Sequence, residues 1–176
     1  MFGTVIIDIY KKSEIDLIVN AIEELCSPND TYGWSSAGIY SFWNPSTKEI
    51  YYIGLASDLG VRFKQHNGLL TSPDGCSKLL QINNYFKDYD KIGYTIFVQS
   101  SLSQPITNRN SSLYKKYIQD FFSIQNYAGE ESINFIKQTE GILIETYKKT
   151  HGTYPKWNQI GGSEYGQNKA TKKIMR

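Results

Sequence analysis

Residues 38–66 read GIYSFWNPSTKEIYYIGLASDLGVRFKQH, and the rest of the chain can be placed around this segment. It contains two runs rich in β-branched and aromatic residues, 38–43 and 49–54, which are typical of strands. Between the runs lies Asn-Pro-Ser-Thr-Lys at 44–48, a cluster of turn-forming residues. The pattern predicts a β-hairpin whose two strands lie side by side in one sheet.

A helix is expected directly after the hairpin, over about residues 58–67. Ser57 and Asp58 are expected to form its N-cap and first turn, and Asn67 with the following glycine can end it. Arg62 and His66 lie four positions apart within this helix, which places them on one face and one turn from each other. The segment therefore presents a cationic and a titratable side chain close to the hairpin.

The remaining hydrophobic patterns predict an α+β protein of one domain. Helical spacing of apolar residues predicts helices over residues 13–26, 77–86, 113–124 and 130–149. Two further runs predict strands at 3–10 and 91–99, the first of them an edge strand or an arm. A chain of 176 residues is long enough for one such domain but too short for a catalytic domain with a second full module.

Charge is distributed unevenly, although the net charge is only +2. Residues 1–36 have two lysines against six acidic residues, whereas residues 147–176 have seven basic residues against one acidic residue. A basic end of this kind suits a polyanion-binding surface, because neutralising phosphates releases counterions. A solvated tail is the alternative interpretation.

The two cysteines, Cys26 and Cys76, stand fifty residues apart without a Cys-x-x-Cys motif or a histidine cluster around them. This argues against a zinc site or a disulfide framework and favours reduced thiols. The sequence has no apolar run of about 18 residues, and its first residues lack the features of a signal peptide. We expect a cytoplasmic protein with no membrane partner.

The tripeptides Gly-Ile-Tyr and Tyr-Ile-Gly place Tyr40 and Tyr52 twelve positions apart. Arg62 follows ten positions after the second tyrosine, and His66 four positions later. In these four residues the chain resembles the GIY-YIG nuclease superfamily, whose restriction-enzyme branch often has such a histidine.

A later part of the chain continues the resemblance. The family has a glutamate on a helix, followed about a dozen residues later by an asparagine in a Pro-x-aromatic-Asn ending. Glu145 and Asn158 have this spacing, and the ending is Pro-Lys-Trp-Asn at 155–158. The match covers residues 37–68 and 139–158 well.

The resemblance implies an α+β fold in which a small, central, mostly antiparallel sheet of three strands is flanked by helices. A single nuclease domain over residues 1–176 would have its core at 37–68 and 91–100, with a helix and turn at 130–158 completing the site. The other parts would be an N-terminal strand-helix extension, a helical insertion and a basic tail, at residues 1–36, 101–128 and 159–176.

The matched residues suit phosphodiester hydrolysis, which needs an activated water, charge stabilisation at the phosphate and help for the leaving oxygen. Tyr40 is the candidate general base, and its ordinary pKa of about 10 means that neighbours must assist. His66 can accept or hydrogen-bond the phenolic proton, while Arg62 and a divalent cation favour the phenolate. Arg62 is expected to bind the scissile phosphate, and Tyr52 to orient the water or the phosphate.

Glu145 is the predicted metal ligand, for one Mg²⁺ or Mn²⁺ ion per active site whose other ligands are water and phosphate oxygens. Glu140 is its rival, but helical spacing places Glu140 on an apolar stripe. Glu145 instead lies beside Gly141, where a missing side chain leaves room for a phosphate or a hydrated ion. Asn158 is expected to hydrogen-bond the loop that shapes the site.

The compact layout resembles a type II restriction endonuclease, which implies double-stranded DNA as substrate and a homodimer at least when DNA is bound. The alternatives are a phage or mobile-element endonuclease that nicks or homes, and a non-catalytic DNA-binding module. Side chains suited to base edges or phosphates are predicted to contact DNA. They are Gln104, Asn108, Arg109, Asn110, Lys148, Lys149, Lys156, Gln167, Asn168, Lys169, Lys172 and Lys173.

Overall fold

A computed structural model of the protein describes residues 2–26, 36–72, 77–99, 104–105, 130–159 and 161–174. Within these ranges an antiparallel sheet of four strands is flanked by five α-helices, which confirms the predicted α+β class. The helical insertion predicted at 101–128 lies outside the described residues, except for Gln104 and Pro105.

The sheet consists of β1 (Phe2–Lys11), β2 (Gly38–Trp43), β3 (Ile50–Ala56) and β4 (Lys91–Gln99), in the order β1-β4-β2-β3. The prediction of a three-stranded sheet was therefore wrong by one strand. β1 pairs with β4 along its length, from Phe2 opposite Gln99 to Lys11 opposite Lys91. This is a long-range contact, which local sequence patterns do not specify.

β2 and β3 form the predicted hairpin. Asn44 builds its turn, because the side-chain oxygen accepts hydrogen bonds from the N–H groups two and three residues further on. The register shifts after Phe42, which pairs with Tyr52, so that Tyr51 is an extra residue in a β-bulge. The bulge breaks the alternation of side chains, and both Tyr51 and Tyr52 pack into the same aromatic core.

The helices are α1 (Ile15–Leu25), α2 (Leu59–His66), α3 (Leu79–Asp88), α4 (Glu130–His151) and α5 (Glu164–Ile174). The first three pack on one face of the sheet, around an aromatic core that includes Tyr40, Phe63 and Tyr94. α4 packs on the opposite face, where Ile136 and Ile144 contact β2 and β3. Both faces therefore stabilise the hairpin that carries the two motif tyrosines.

α5 crosses α4 at two glycines. A side chain at Gly141 would collide with the backbone of Gly166, and one at Gly166 would collide with the carbonyl of Lys137. The stretch that the sequence presented as a basic tail is thus a helix packed closely against α4 over Glu164–Ile174. In the described ranges no helix combines the length and the apolar character needed to cross a bilayer.

Candidate active site

Tyr40 lies at the centre of β2, with Gly54 of β3 as its neighbour on one side and Ile96 of β4 on the other. The residue is 0% exposed, and its ring centroid lies 5.7 Å from that of Tyr52. A side chain at Gly54 would lie 2.8 Å from the Tyr40 hydroxyl and 2.9 Å from the Tyr52 hydroxyl. The last glycine of the Tyr-Ile-Gly motif therefore makes room for both phenolic groups.

His66 and Arg62 reach the Tyr40 hydroxyl from α2, as their helical spacing predicts. Asp58 caps this helix by accepting a hydrogen bond from the N–H of Val61 at 2.9 Å, so the helix is present and its cap lies one residue after the predicted Ser57. His66 Nε2 lies 2.6 Å from Tyr40 Oη, and Arg62 Nε donates to the same oxygen at 3.3 Å. The four motif side chains thus form one cluster, in which the His66 ring also contacts Tyr52.

The second ring nitrogen of His66 fixes where its proton lies. The main-chain N–H of Lys78 donates to Nδ1 at 2.8 Å, so Nδ1 carries a lone pair. A neutral imidazole has one N–H, which is then on Nε2 and points at the Tyr40 oxygen. His66 therefore donates to Tyr40 and does not accept its proton, which corrects one of the two roles considered from the sequence.

Burial raises the pKa of Tyr40 well above its ordinary value, and the neighbouring Tyr52 raises it further. The charge and hydrogen bond of Arg62 lower the pKa, but burial has the larger effect. The hydroxyl is accordingly neutral in the free protein. Arg62 therefore acts in the expected direction, and forming the phenolate requires further positive charge close to the cluster, as the expected divalent cation would provide.

Glu140 is attached to the outer edge of β3. It is 7% exposed, and its carboxylate accepts hydrogen bonds from the main-chain N–H of Ser163, at 3.4 Å, and of Leu55. Leu55 follows Gly54, the residue over which both tyrosine hydroxyls lie. Burial raises the pKa of Glu140 to about 7, and the two backbone hydrogen bonds oppose this rise. A buried carboxyl with a raised pKa is a candidate functional group.

Glu145 lies one and a half turns further along α4, and its described contacts are different. Its Oε1 accepts a hydrogen bond from the Tyr154 hydroxyl at 2.9 Å. The space predicted beside Gly141 for a phosphate or an ion is filled by the backbone of Gly166, so that expectation was wrong. Glu140 was rejected from the sequence because it lies on the apolar stripe of the helix. This stripe is the face of α4 that packs on the sheet, and it places Glu140 against β3.

Asn158 and Trp157 cover the same edge of β3. The Asn158 side chain bonds both the N–H and the C=O of Ile53, and the N–H of Trp157 donates to the carbonyl of Tyr51 at 2.8 Å. The predicted hydrogen bond of Asn158 is present, but its partner is the strand of Tyr52 and not a loop. Asn158 therefore acts on the site by fixing β3.

Gln104 is buried and cannot serve as the predicted DNA contact. Its amide accepts from the N–H of Ala37 at 2.9 Å and donates to the carbonyls of Ala37 and Gln99. This side chain ties the ends of two strands together, which is a structural role. The other candidates of the same loop, Asn108 and Arg109 with the following Asn110, lie outside the described residues.

The candidates near the C-terminus have varied surroundings. Lys156 forms an ion pair with Glu49 at 3.1 Å, and Lys148 lies over the ring of Tyr154 at 4.3 Å. Gln167 donates to the carbonyl of Gly162. The exposed candidates are Lys148, Lys149, Lys156, Asn168 and Lys169, whereas Lys172 and Lys173 are described only as part of α5.

Lys78 is the residue of this cluster that the sequence did not reveal. It precedes α3, donates its N–H to His66 and places its ammonium group 4.9 Å from the centroid of the Tyr52 ring. Its contacts come from tertiary folding, and no spacing rule connects it to the motif. Comparison of the chain with protein-family models, curated proteins and solved structures finds no match.

Proposed function

We propose that the protein is a divalent-metal-dependent endonuclease of the GIY-YIG type that hydrolyses phosphodiester bonds in double-stranded DNA. The observation that carries the proposal is the Tyr40 hydroxyl, whose oxygen accepts hydrogen bonds from His66 Nε2 and Arg62 Nε, at 2.6 and 3.3 Å. Two donors on one phenolic oxygen favour the anionic form, which is the form that a general base requires.

Each member of the cluster then has a distinct task. Tyr40 first releases its phenolic proton to solvent past the half-buried Tyr52, and the phenolate then takes a proton from the attacking water, which enters from the same side because Tyr40 itself is shielded. His66 keeps its own proton and stabilises the phenolate. Arg62 holds the charge of the scissile phosphate, where one well-placed donor is typically worth about 3–4 kcal/mol of barrier.

A metal ion fits this site only in a hydrated form. Within the described ranges there is no group of three or more His, Cys, Asp or Glu residues that could hold an ion. One protein carboxylate suits Mg²⁺ or Mn²⁺ with water and phosphate as further ligands, and the ion would then supply charge stabilisation to the phosphate and the leaving oxygen. We assign this carboxylate to Glu140, because its hydrogen bond to Leu55 anchors it beside Gly54. Glu145, the choice made from the sequence, is the alternative.

The layout of the chain favours a compact type II restriction endonuclease that acts as a homodimer on DNA. A phage or mobile-element endonuclease is the competing form of this activity. The complete burial of Tyr40 favours a different candidate, a non-catalytic DNA-binding module. A base that cannot reach water would leave the cluster with a packing role alone.

Incubation of the purified protein with supercoiled plasmid and Mg²⁺ separates these candidates. Discrete, reproducible fragments support a restriction enzyme, progressive nicking supports the phage or mobile-element type, and DNA binding without cleavage rejects the enzyme. Tyr40→Phe should lower the cleavage rate by roughly a hundredfold or more. Tyr165→Phe, at an exposed position of α5, is the matched control and should cleave as the wild type does.

A further inference from the structure

Lys78 makes two contacts with the candidate site, one through its backbone and one through its side chain. The backbone N–H donates to His66 Nδ1 at 2.8 Å. The ammonium group lies over the Tyr52 ring, 4.9 Å from its centroid. The same residue thus touches the histidine that donates to Tyr40 and the tyrosine that borders the entry to it.

The backbone contact holds the lysine in place. Because a hydrogen bond of 2.8 Å fixes its main chain against a fully buried ring, the position from which the side chain starts is determined by the site itself. Lys64, which lies on the same helix as His66, is in contrast directed away by an ion pair of 2.7 Å with Glu23. Of these two lysines, Lys78 is therefore the one whose charge lies beside the tyrosines.

The side-chain contact is weak as a stabilising interaction. A cation over an aromatic ring gains little where water can still reach the charge. An arriving phosphate oxygen offers an ammonium group a much stronger charge-assisted hydrogen bond. The ring of Tyr52 can hold the ammonium group where an anion next to the phenolic hydroxyls would meet it.

We propose that Lys78 is a second phosphate-binding cation of this site, acting beside Tyr52 while Arg62 acts at Tyr40. The inference rests on the proposed function, since the ligand is the DNA phosphate. A lysine suits this position because its ammonium group is a compact charge with three N–H donors. These donors can rotate to stay hydrogen-bonded to the phosphate oxygens during hydrolysis.

The test measures DNA affinity over a range of salt concentrations, without divalent cation so that no cleavage occurs. Lys78→Met keeps the backbone N–H and the side-chain stem but removes the charge. It should weaken binding roughly tenfold and reduce the slope of log K against log salt by about one, as expected for the loss of one phosphate contact. Lys78→Arg should restore most of both quantities.

Lys87→Met is the matched control, because Lys87 is an exposed residue of α3 whose ammonium group bonds Asn84. Affinity and salt slope of this variant should equal those of the wild type. The inference is overturned if Lys78→Met binds DNA with an unchanged slope, or if Lys78→Arg is as weak as Lys78→Met. Absence of cleavage by a wild type that shows the expected slopes rejects the nuclease proposal and leaves Lys78 as a phosphate contact, whereas a wild type that binds no DNA rejects both.

Discussion

The side-chain amide of Asn158 bonds both main-chain groups of Ile53: the N–H of Ile53 donates to Oδ1 at 2.9 Å, and Nδ2 donates to the carbonyl at 2.8 Å. It replaces a neighbouring strand at this point of the β3 edge. Asn158→Ala should destabilise the fold by about 1–3 kcal/mol, because two hydrogen bonds are lost at a half-buried edge. Urea denaturation measures this, and Asn168→Ala on the exposed face of α5 should change stability by less than about 0.5 kcal/mol.

The two histidines of the chain differ in ways that NMR can detect. With ¹⁵N-labelled histidine, His66 should show an unprotonated Nδ1 and a protonated Nε2, since the Lys78 N–H occupies the first nitrogen. His151 is exposed and packs its ring against Tyr147, so it should show an ordinary mixture of tautomers. A protonated Nδ1 in His66 would contradict the donor role assigned to it.

His66→Ala should reduce cleavage by roughly a hundredfold, because it removes a donor to the phenolate, while DNA affinity should fall by no more than the roughly tenfold expected when Lys78 loses its backbone anchor. His151→Ala is its control and should retain the wild-type rate. Equal loss of DNA affinity and cleavage in His66→Ala would show that the histidine serves folding or binding instead.

Glu140 should make stability depend on pH. Its pKa is raised by burial to about 7 in the folded protein, so the folded state holds the proton more tightly than the unfolded state does. Stability should be highest at low pH and fall as pH rises from the unfolded pKa to about 7. Glu140→Gln keeps an acceptor for the two backbone N–H groups and should be more stable than the wild type at about pH 8, by an amount on the order of 1–3 kcal/mol.

Urea denaturation of both proteins at about pH 5 and pH 8, without divalent cation, checks this expectation. The difference in unfolding free energy between the wild type and Glu140→Gln should be small at the lower pH and should reach its full size at the higher pH. A difference that does not change with pH would mean that the carboxyl titrates in the same way in the folded and unfolded chains.

The choice between the two carboxylates can be made with a matched pair of variants. Glu140→Gln should abolish cleavage, by roughly a hundredfold or more, while sparing DNA binding. Glu145→Gln should cleave within about threefold of the wild type, since a glutamine oxygen can still accept the hydrogen bond from Tyr154. With DNA already bound, the further addition of Mg²⁺ should raise the melting temperature of Glu145→Gln and leave that of Glu140→Gln unchanged. The reverse result would restore Glu145 as the metal ligand.

Local patterns predicted the elements that carry the motif. The hairpin, the helix that follows it and the strand at Lys91–Gln99 depend on neighbours within a few residues, and each is present. The convergence of Tyr40 with His66 also follows from strand pairing and helix spacing, so the centre of the site could be anticipated. Its function remains a prediction.

The parts that sequence reasoning missed depend on contacts between distant segments. Gly141 suggested an open space, but whether a glycine faces solvent or a second helix is decided by the crossing of α5. Gln104 had the side chain of a base reader, and its burial against Ala37 and Gln99 gives it another task. The contact of Lys78 with His66 has no sequence signal, because it is made by a main-chain group.

β2 is the interior strand that carries Tyr40, and it is hydrogen-bonded to β3 on one side and β4 on the other. A strand held on both sides opens only when the sheet does, so its amide protons should exchange with solvent at the rate of global unfolding. The geometry around the phenolic oxygen of Tyr40 should therefore persist for as long as the protein stays folded. Any movement that admits a substrate must come from the ends of α2 and α3 and from Tyr52, while the base stays fixed.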